Sequence, residues 1–135
     1  MTRNFIAYIS TLVAFLALDG IWLGLLMGGT YKSALGPLML DSPRLVPAVL
    51  FYAGYVVGII VFAINPGIEA QQWQRTALLG ALLGLMAYGA YDMTNLATLK
   101  DWPLHLSLID MAWGTVVTSA AATAGWFAVN TWGAR

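Results

Sequence analysis

The sequence predicts an all-α integral membrane protein: a four-helix bundle with both termini on the same side of the bilayer. Three observations carry this. Hydrophobic residues make up 60% of the 135 residues and charged residues 9%, whereas a soluble domain carries about 25% charged. Mean hydropathy is +0.76. Four stretches also meet the need for about 20 mostly apolar residues in a bilayer-crossing helix. Backbone polar groups in lipid must be satisfied internally, and stretches this long and apolar achieve that as helices. The chain therefore reads as a single transmembrane domain over residues 1–135, with helices at about 4–27, 46–64, 76–98 and 104–129.

The first helix runs from about Asn4 to Met27. Its apolar run is too long for a signal-peptide core and is interrupted by Asp19, with no small-residue cleavage site following, so it reads as a retained span. The connection Gly28–Leu45 holds Tyr31, Leu35, Leu38 and Met39, spaced for a short interfacial helix over the helix ends. The second helix, Val46–Ile64, reads as scaffold: Gly54-x-x-x-Gly58 supplies a packing face, and Tyr52 and Tyr55 stand near its start. Asn65-Pro66-Gly67 reads as a turn, because Pro fixes one φ and Gly permits a positive one. The third helix covers Thr76–Thr98. Asp101-Trp102-Pro103 then reads as a helix start, with an acid at the positive end and Pro in the first turn. The fourth helix covers Leu104–Val129. Trp73, Trp102, Trp126 and Trp132 fall near helix ends, where aromatic rings favour the headgroup region. Arg3, Arg75 and Arg135 on one side balance Lys32, Arg44 and Lys100 on the other. Arg3 and Arg75 lie directly at helix ends, which tips the termini toward the cytoplasm.

Asp19, Asp92 and Asp110 are the informative residues. An acid within a span costs about 2.5–3.5 kcal/mol on insertion scales and usually faces a bundle interior or a cavity. At the helical rise, Asp19 lies about 13 Å from the end of its helix, Asp92 about 10 Å from the end of the third, and Asp110 about 10 Å inside the start of the fourth. All three fall in the half of the membrane opposite the termini. Their faces agree. Tyr8, Thr11, Phe15, Asp19 and Trp22 form one stripe, as do Gly80, Gly84, Tyr88, Asp92 and Asn95. Ser107, Asp110, Trp113, Gly114, Val117, Ala121 and Gly125 form a third, and the small residues of these last two stripes, including Gly80-x-x-x-Gly84, permit close helix approach.

Charge balance constrains the chemistry. Three ionised carboxylates in a low-dielectric site repel, and no Lys or Arg lies deep within a span to offset them. Either protons remain bound, or a cation does, with Lys32 and Lys100 reaching inward as a weaker option. Asp19, Asp92 and Asp110 are the candidate metal ligands, for Mg²⁺, Mn²⁺ or Ca²⁺, with zinc or iron if His105 joins. His105 stands five positions before Asp110, off its face, and reads first as an interfacial residue. Asn95, one turn from Asp92, is placed to orient a carboxylate. Trp22 and Trp113 would flank a cation or an organic substrate, against a plainer role in packing. The plain reading of the acids themselves is a hydrogen-bonded cluster fixing helix register, at about 0.6 kcal/mol per interhelical bond.

The absence of cysteine excludes disulfides, thiolate catalysis and Cys-based metal sites. Zero net charge with scattered basic residues excludes a nucleic-acid partner. The strings Leu16–Gly24 (LALDGIWLG), Tyr91–Leu99 (YDMTNLATL) and Asp110–Thr115 (DMAWGT), with Leu35-Gly36-Pro37, resemble a bacterial family of short predicted membrane proteins, domain-of-unknown-function family 2177. The resemblance covers nearly the whole chain. It implies a four-helix protein of the bacterial inner membrane and no particular activity.

The expected function is proton or cation binding at Asp19, Asp92 and Asp110 in a transport or ion-coupled role, surrounded by membrane lipid. Four helices are few for a complete pathway, so a homodimer or larger membrane complex is expected. One rival is a membrane-embedded enzyme acting on a lipid or isoprenoid, its carboxylates serving as metal ligands or general acid and base. The chain has no His-Glu-x-x-His spacing to favour it. The other rival is an accessory subunit whose acids bond a partner helix.

Overall fold

The computed structural model describes residues 2–39 and 44–133, so Arg135 and residues 40–43 of the first connection lie outside it. Every element among the described residues is helical. Helix α1 (Thr2–Ile21) runs into a π-helical turn, Trp22–Leu26. Helix α2 (Gly28–Leu35) and a 3₁₀ turn (Gly36–Leu38) follow. Helix α3 (Leu45–Ile59) continues through a second π turn (Ile60–Ile64) into α4 (Asn65–Ala70). Two long helices complete the chain, α5 (Trp73–Thr98) and α6 (Leu104–Trp132).

Three helical stretches are long and apolar enough to cross a membrane: Thr2–Leu25, Leu45–Ala70 and Trp73–Thr98. Helix α6 is longer than any of them, yet its Ser, Thr, Gly and Trp content keeps it outside that group. Its packing accounts for the difference. Helix α6 lies along both α5 and α1 and buries Ser107, Gly114, Val117, Thr118, Ala121, Ala122 and Gly125. A helix enclosed by its neighbours does not need an apolar surface all round, and small side chains let backbones approach closely. A Cβ on Gly84 would collide with the Gly114 carbonyl, one on Gly114 with the Tyr88 ring, and one on Gly125 with Thr11 Oγ1. The α1 stripe is likewise inward, with Thr11 and Phe15 buried. Phe15 packs between Tyr52 and Tyr55 at ring separations of 5.6 and 5.7 Å.

Four local expectations are corrected. Asn65-Pro66-Gly67 is not the turn: the rod continues to Ala70 and reverses at Gln71, whose φ of 56° is left-handed. Pro66 is tolerated because it occupies the first turn of α4, where its missing N–H is least felt. Thr76 Oγ1 donates to the Ala63 carbonyl at 2.8 Å, tying α5 to the π turn. At the other end of α5, Asp101 is the turn residue, with φ of 64°, and Pro103 is the N-cap of α6, so no acid sits in the first turn of that helix. Gly54 and Gly58 meet nothing within 4 Å, so the packing face expected of them is unused within the described chain. Trp126 turns inward and is 7% exposed, while Trp132 is 72% exposed.

Candidate functional site

The ends of α1, α5 and the start of α6 bring the three acids to one end of the molecule. Asp19 is buried and held by two neutral donors from two other helices. The Tyr52 hydroxyl donates to Oδ2 at 3.0 Å, and Trp113 Nε1 donates to Oδ1 at 3.0 Å. Both carboxylate oxygens are therefore satisfied without a cation, the condition under which a buried acid is tolerated. Helix α3 thus supplies a hydrogen-bond donor to Asp19 rather than scaffold alone.

Asp110 is half-buried. Its Oδ1 accepts from the Tyr31 hydroxyl at 2.8 Å, and that same hydroxyl accepts from Trp22 Nε1 at 3.1 Å. The relay joins the π turn after α1, helix α2 and helix α6. Burial, opposed by the Trp22 bond and reinforced by the Asp110 carboxyl, holds the Tyr31 hydroxyl above the ordinary phenol range. It is a permanent donor. Trp22 and Trp113 stack directly on each other, centroids 4.3 Å apart and planes 3° apart. Nothing fits between them, so they flank no ligand as a sandwich. Each instead delivers its indole N–H to the carboxylate network.

Asp92 is the anomaly. It is 0% exposed, and neither carboxylate oxygen has a hydrogen-bond partner among the described residues. The Asp110 carboxyl stands within hydrogen-bonding reach of it. Two carboxylates cannot bond each other; a carboxyl and a carboxylate can. The Asp92 backbone is fixed from α6, since Ser107 Oγ donates to the Asp92 carbonyl at 3.0 Å and accepts from Trp102 Nε1 at 2.9 Å.

Beside the pair lies a cleft of about 350 Å³ lined by Phe51, Tyr52, Ala87, Tyr88, Tyr91 and Asp110. Its cause is the course of the second rod. That rod meets α5 along the π turn Ile60–Ile64 and along α4, whereas the α3 portion packs instead on α1. The two helices diverge toward the acidic end, and aromatic side chains line the gap.

Two candidates stand elsewhere. Asn95 lies within bonding reach of the Tyr91 hydroxyl and gives no bond to Asp92. His105 is exposed and lines a separate shallow cleft with Gly29, Thr30, Ser33 and Ala34 of α2. Among the described residues, no group of three His, Asp or Glu side chains is placed to hold a metal ion. Asp92 stands beside Asp110, and Asp19 is engaged separately.

The family model for predicted membrane proteins, DUF2177, matches residues 4–127. The chain belongs to this family. No curated protein and no solved structure gives a match. For this DUF2177 protein, the motif strings that carried the resemblance contain all three acids as well as Trp22, Asn95 and Trp113. Sequence spacing does not mark Tyr31, Tyr52 or Tyr88 as site residues: Tyr31 lies outside the spans, where its spacing fits only a short interfacial helix, and Tyr52 stands out only as an aromatic near the start of its helix.

Proposed function

We propose that this protein is a four-helix transmembrane bundle of the bacterial inner membrane, termini cytoplasmic, that binds and releases a proton at the Asp92–Asp110 pair in a transport or ion-coupled role. The observation that carries the reading is the Asp92 carboxyl, fully buried, without a donor on either oxygen and adjacent to a second carboxyl. Among the described residues no Lys, Arg or His partners it. One proton shared between the two groups turns a repulsive contact into a hydrogen bond, the arrangement expected when like charges cannot both ionise. Intramembrane carboxylates of this kind mark proton relays and ion paths.

The roles divide accordingly. Asp92 and Asp110 exchange the proton, Tyr31 holds Asp110 in place, and Asp19, hydrogen-bonded by Tyr52 and Trp113, is a structural anchor of the same network. A lipid-active enzyme with a metal would need three ligands converging on one point, which this reading does not supply. A homodimer is the proposed working unit, because one chain encloses too little of a path.

Infrared titration of the detergent-purified protein tests the proposal. A protonated carboxyl band is expected at neutral pH, lost in Asp92→Asn, shifted in Asp110→Asn as the partner of the buried Asp92 changes, and kept in Asp19→Asn. Proton uptake into liposomes should fall in the same two variants. A neutral-pH spectrum with no protonated carboxyl, or one unchanged by either substitution, overturns it.

A further inference from the structure

The cleft between α3 and α5 combines three features that proton exchange alone does not require. Its walls are aromatic, its volume is about 350 Å³, and one carboxyl, that of Asp110, enters it. A ligand pocket of that size holds a small organic molecule or one arm of a larger one. Two of the three wall hydroxyls are engaged elsewhere: Tyr52 gives its hydroxyl to Asp19, and the Tyr91 hydroxyl is at Asn95. The lining is otherwise ring surface, the Tyr88 side chain and one carboxyl. Ring faces carry negative electrostatic character and attract a cation that has shed its water.

We infer that this cleft binds a lipophilic organic ammonium ion, its cationic head at Asp110 and its apolar arms against Phe51, Tyr52, Tyr88 and Tyr91. The inference deepens the proton-pair reading and rests on it in one respect, that the Asp92–Asp110 pair retains one net negative charge. A bare inorganic cation is a poor occupant, because it needs several oxygen ligands and the lining offers one carboxyl. Anionic headgroups are repelled by the same charge. A neutral hydrocarbon chain would fit the walls yet make no use of Asp110. Phe51 and Tyr91 are 52% and 56% exposed, so the cleft has a side entrance between the diverging helices, and a membrane-dissolved amphiphile reaches it laterally.

The geometry also distinguishes the two acids. Asp110 lines the cleft, whereas Asp92 is sealed behind it. Replacing Asp92 by Asn therefore removes the shared proton and leaves an ionised Asp110 facing the ligand. Replacing Asp110 removes the charge that the ligand meets.

Benzyltrimethylammonium and its uncharged isostere neopentylbenzene are the probes, measured by equilibrium dialysis against the detergent-solubilised full chain, with empty micelles as the blank. The wild type and Asp92→Asn should both bind the cation, and Asp110→Asn should bind it at least about tenfold more weakly, in line with loss of a charge partner in a desolvated site. Tyr91→Leu should weaken it about threefold and Tyr91→Phe should leave it unchanged, the size of one ring–cation contact; both concern a half-exposed side chain and keep the test valid should Asp110→Asn fail to fold. Equal binding of neopentylbenzene, undiminished binding by Asp110→Asn or Tyr91→Leu, or no binding of the cation overturns the ammonium site. Cation binding by Asp92→Asn with no protonated carboxyl in the wild-type infrared spectrum supports the site and overturns the proton pair instead.

Discussion

At the scale of single residues, the site is a matter of which carboxylate has donors. Asp19 has two, Tyr52 and Trp113, Asp110 has Tyr31, and Asp92 has none among the described residues. Their substitutions should therefore differ in sign. Tyr52→Phe strips one donor from a buried acid and should cost about 1–3 kcal/mol of stability, read as a lower melting temperature in detergent. Asp92→Asn fills the same volume and supplies a permanent N–H toward Asp110, so its melting temperature should match or exceed that of the wild type. A clear loss of stability in Asp92→Asn would mean that Asp92 is ionised and held by something else. Helical spacing made the inward faces of Asp19 and Asp92 legible in the sequence. It could not show which donor meets which acid, because that depends on how neighbouring helices are rotated against one another. Asn95 shares its stripe with Asp92 and still turns to Tyr91, and Trp22 and Trp113 close on each other rather than around a ligand.

At the scale of elements, the contact between α5 and α6 sets the spacing of everything else. Gly84 has no room for a side chain against the Gly114 backbone, nor Gly114 against the Tyr88 ring. Gly84→Leu should force the helices apart and destabilise the protein by about 1–3 kcal/mol or more. Gly54→Leu, at a glycine with nothing within 4 Å, should leave the melting temperature of the isolated chain unchanged. Thermal unfolding of the pair of variants checks the contrast, and equal losses would contradict the packing described here. The Gly80 and Gly84 spacing was readable as a packing motif; the same spacing at Gly54 and Gly58 gave the opposite outcome. Small residues permit close approach without demanding it. Asn65-Pro66-Gly67 failed as a turn for a related reason, since a π turn and a helix-starting position absorb a proline that ordinarily signals a break.

At the scale of the whole molecule, the proposed four crossings with both termini on one face make a statement about sides. The chain has no cysteine, so single introduced cysteines report cleanly. With a membrane-impermeant maleimide, Thr2→Cys, Gln72→Cys and Trp132→Cys should label from one side of the membrane, and Ser33→Cys and Asp101→Cys from the other. Labelling of Thr2→Cys and Trp132→Cys from opposite sides would remove one crossing. The packing of α6 has a bearing on how the chain enters the membrane as it is made. Helices α1, α3 with α4, and α5 leave the ribosome first, and each is apolar enough to partition into lipid unaided. Helix α6 emerges last, the least suited to lipid and the most enclosed by protein. On the proposed four-crossing topology its entry depends on partners already in place, so that folding completes insertion rather than following it. Grafted alone into a host protein as a test segment, Leu104–Trp132 should insert poorly, while the same segment behind its own three helices inserts fully. Efficient insertion in isolation would show that the final helix enters as an independent passenger.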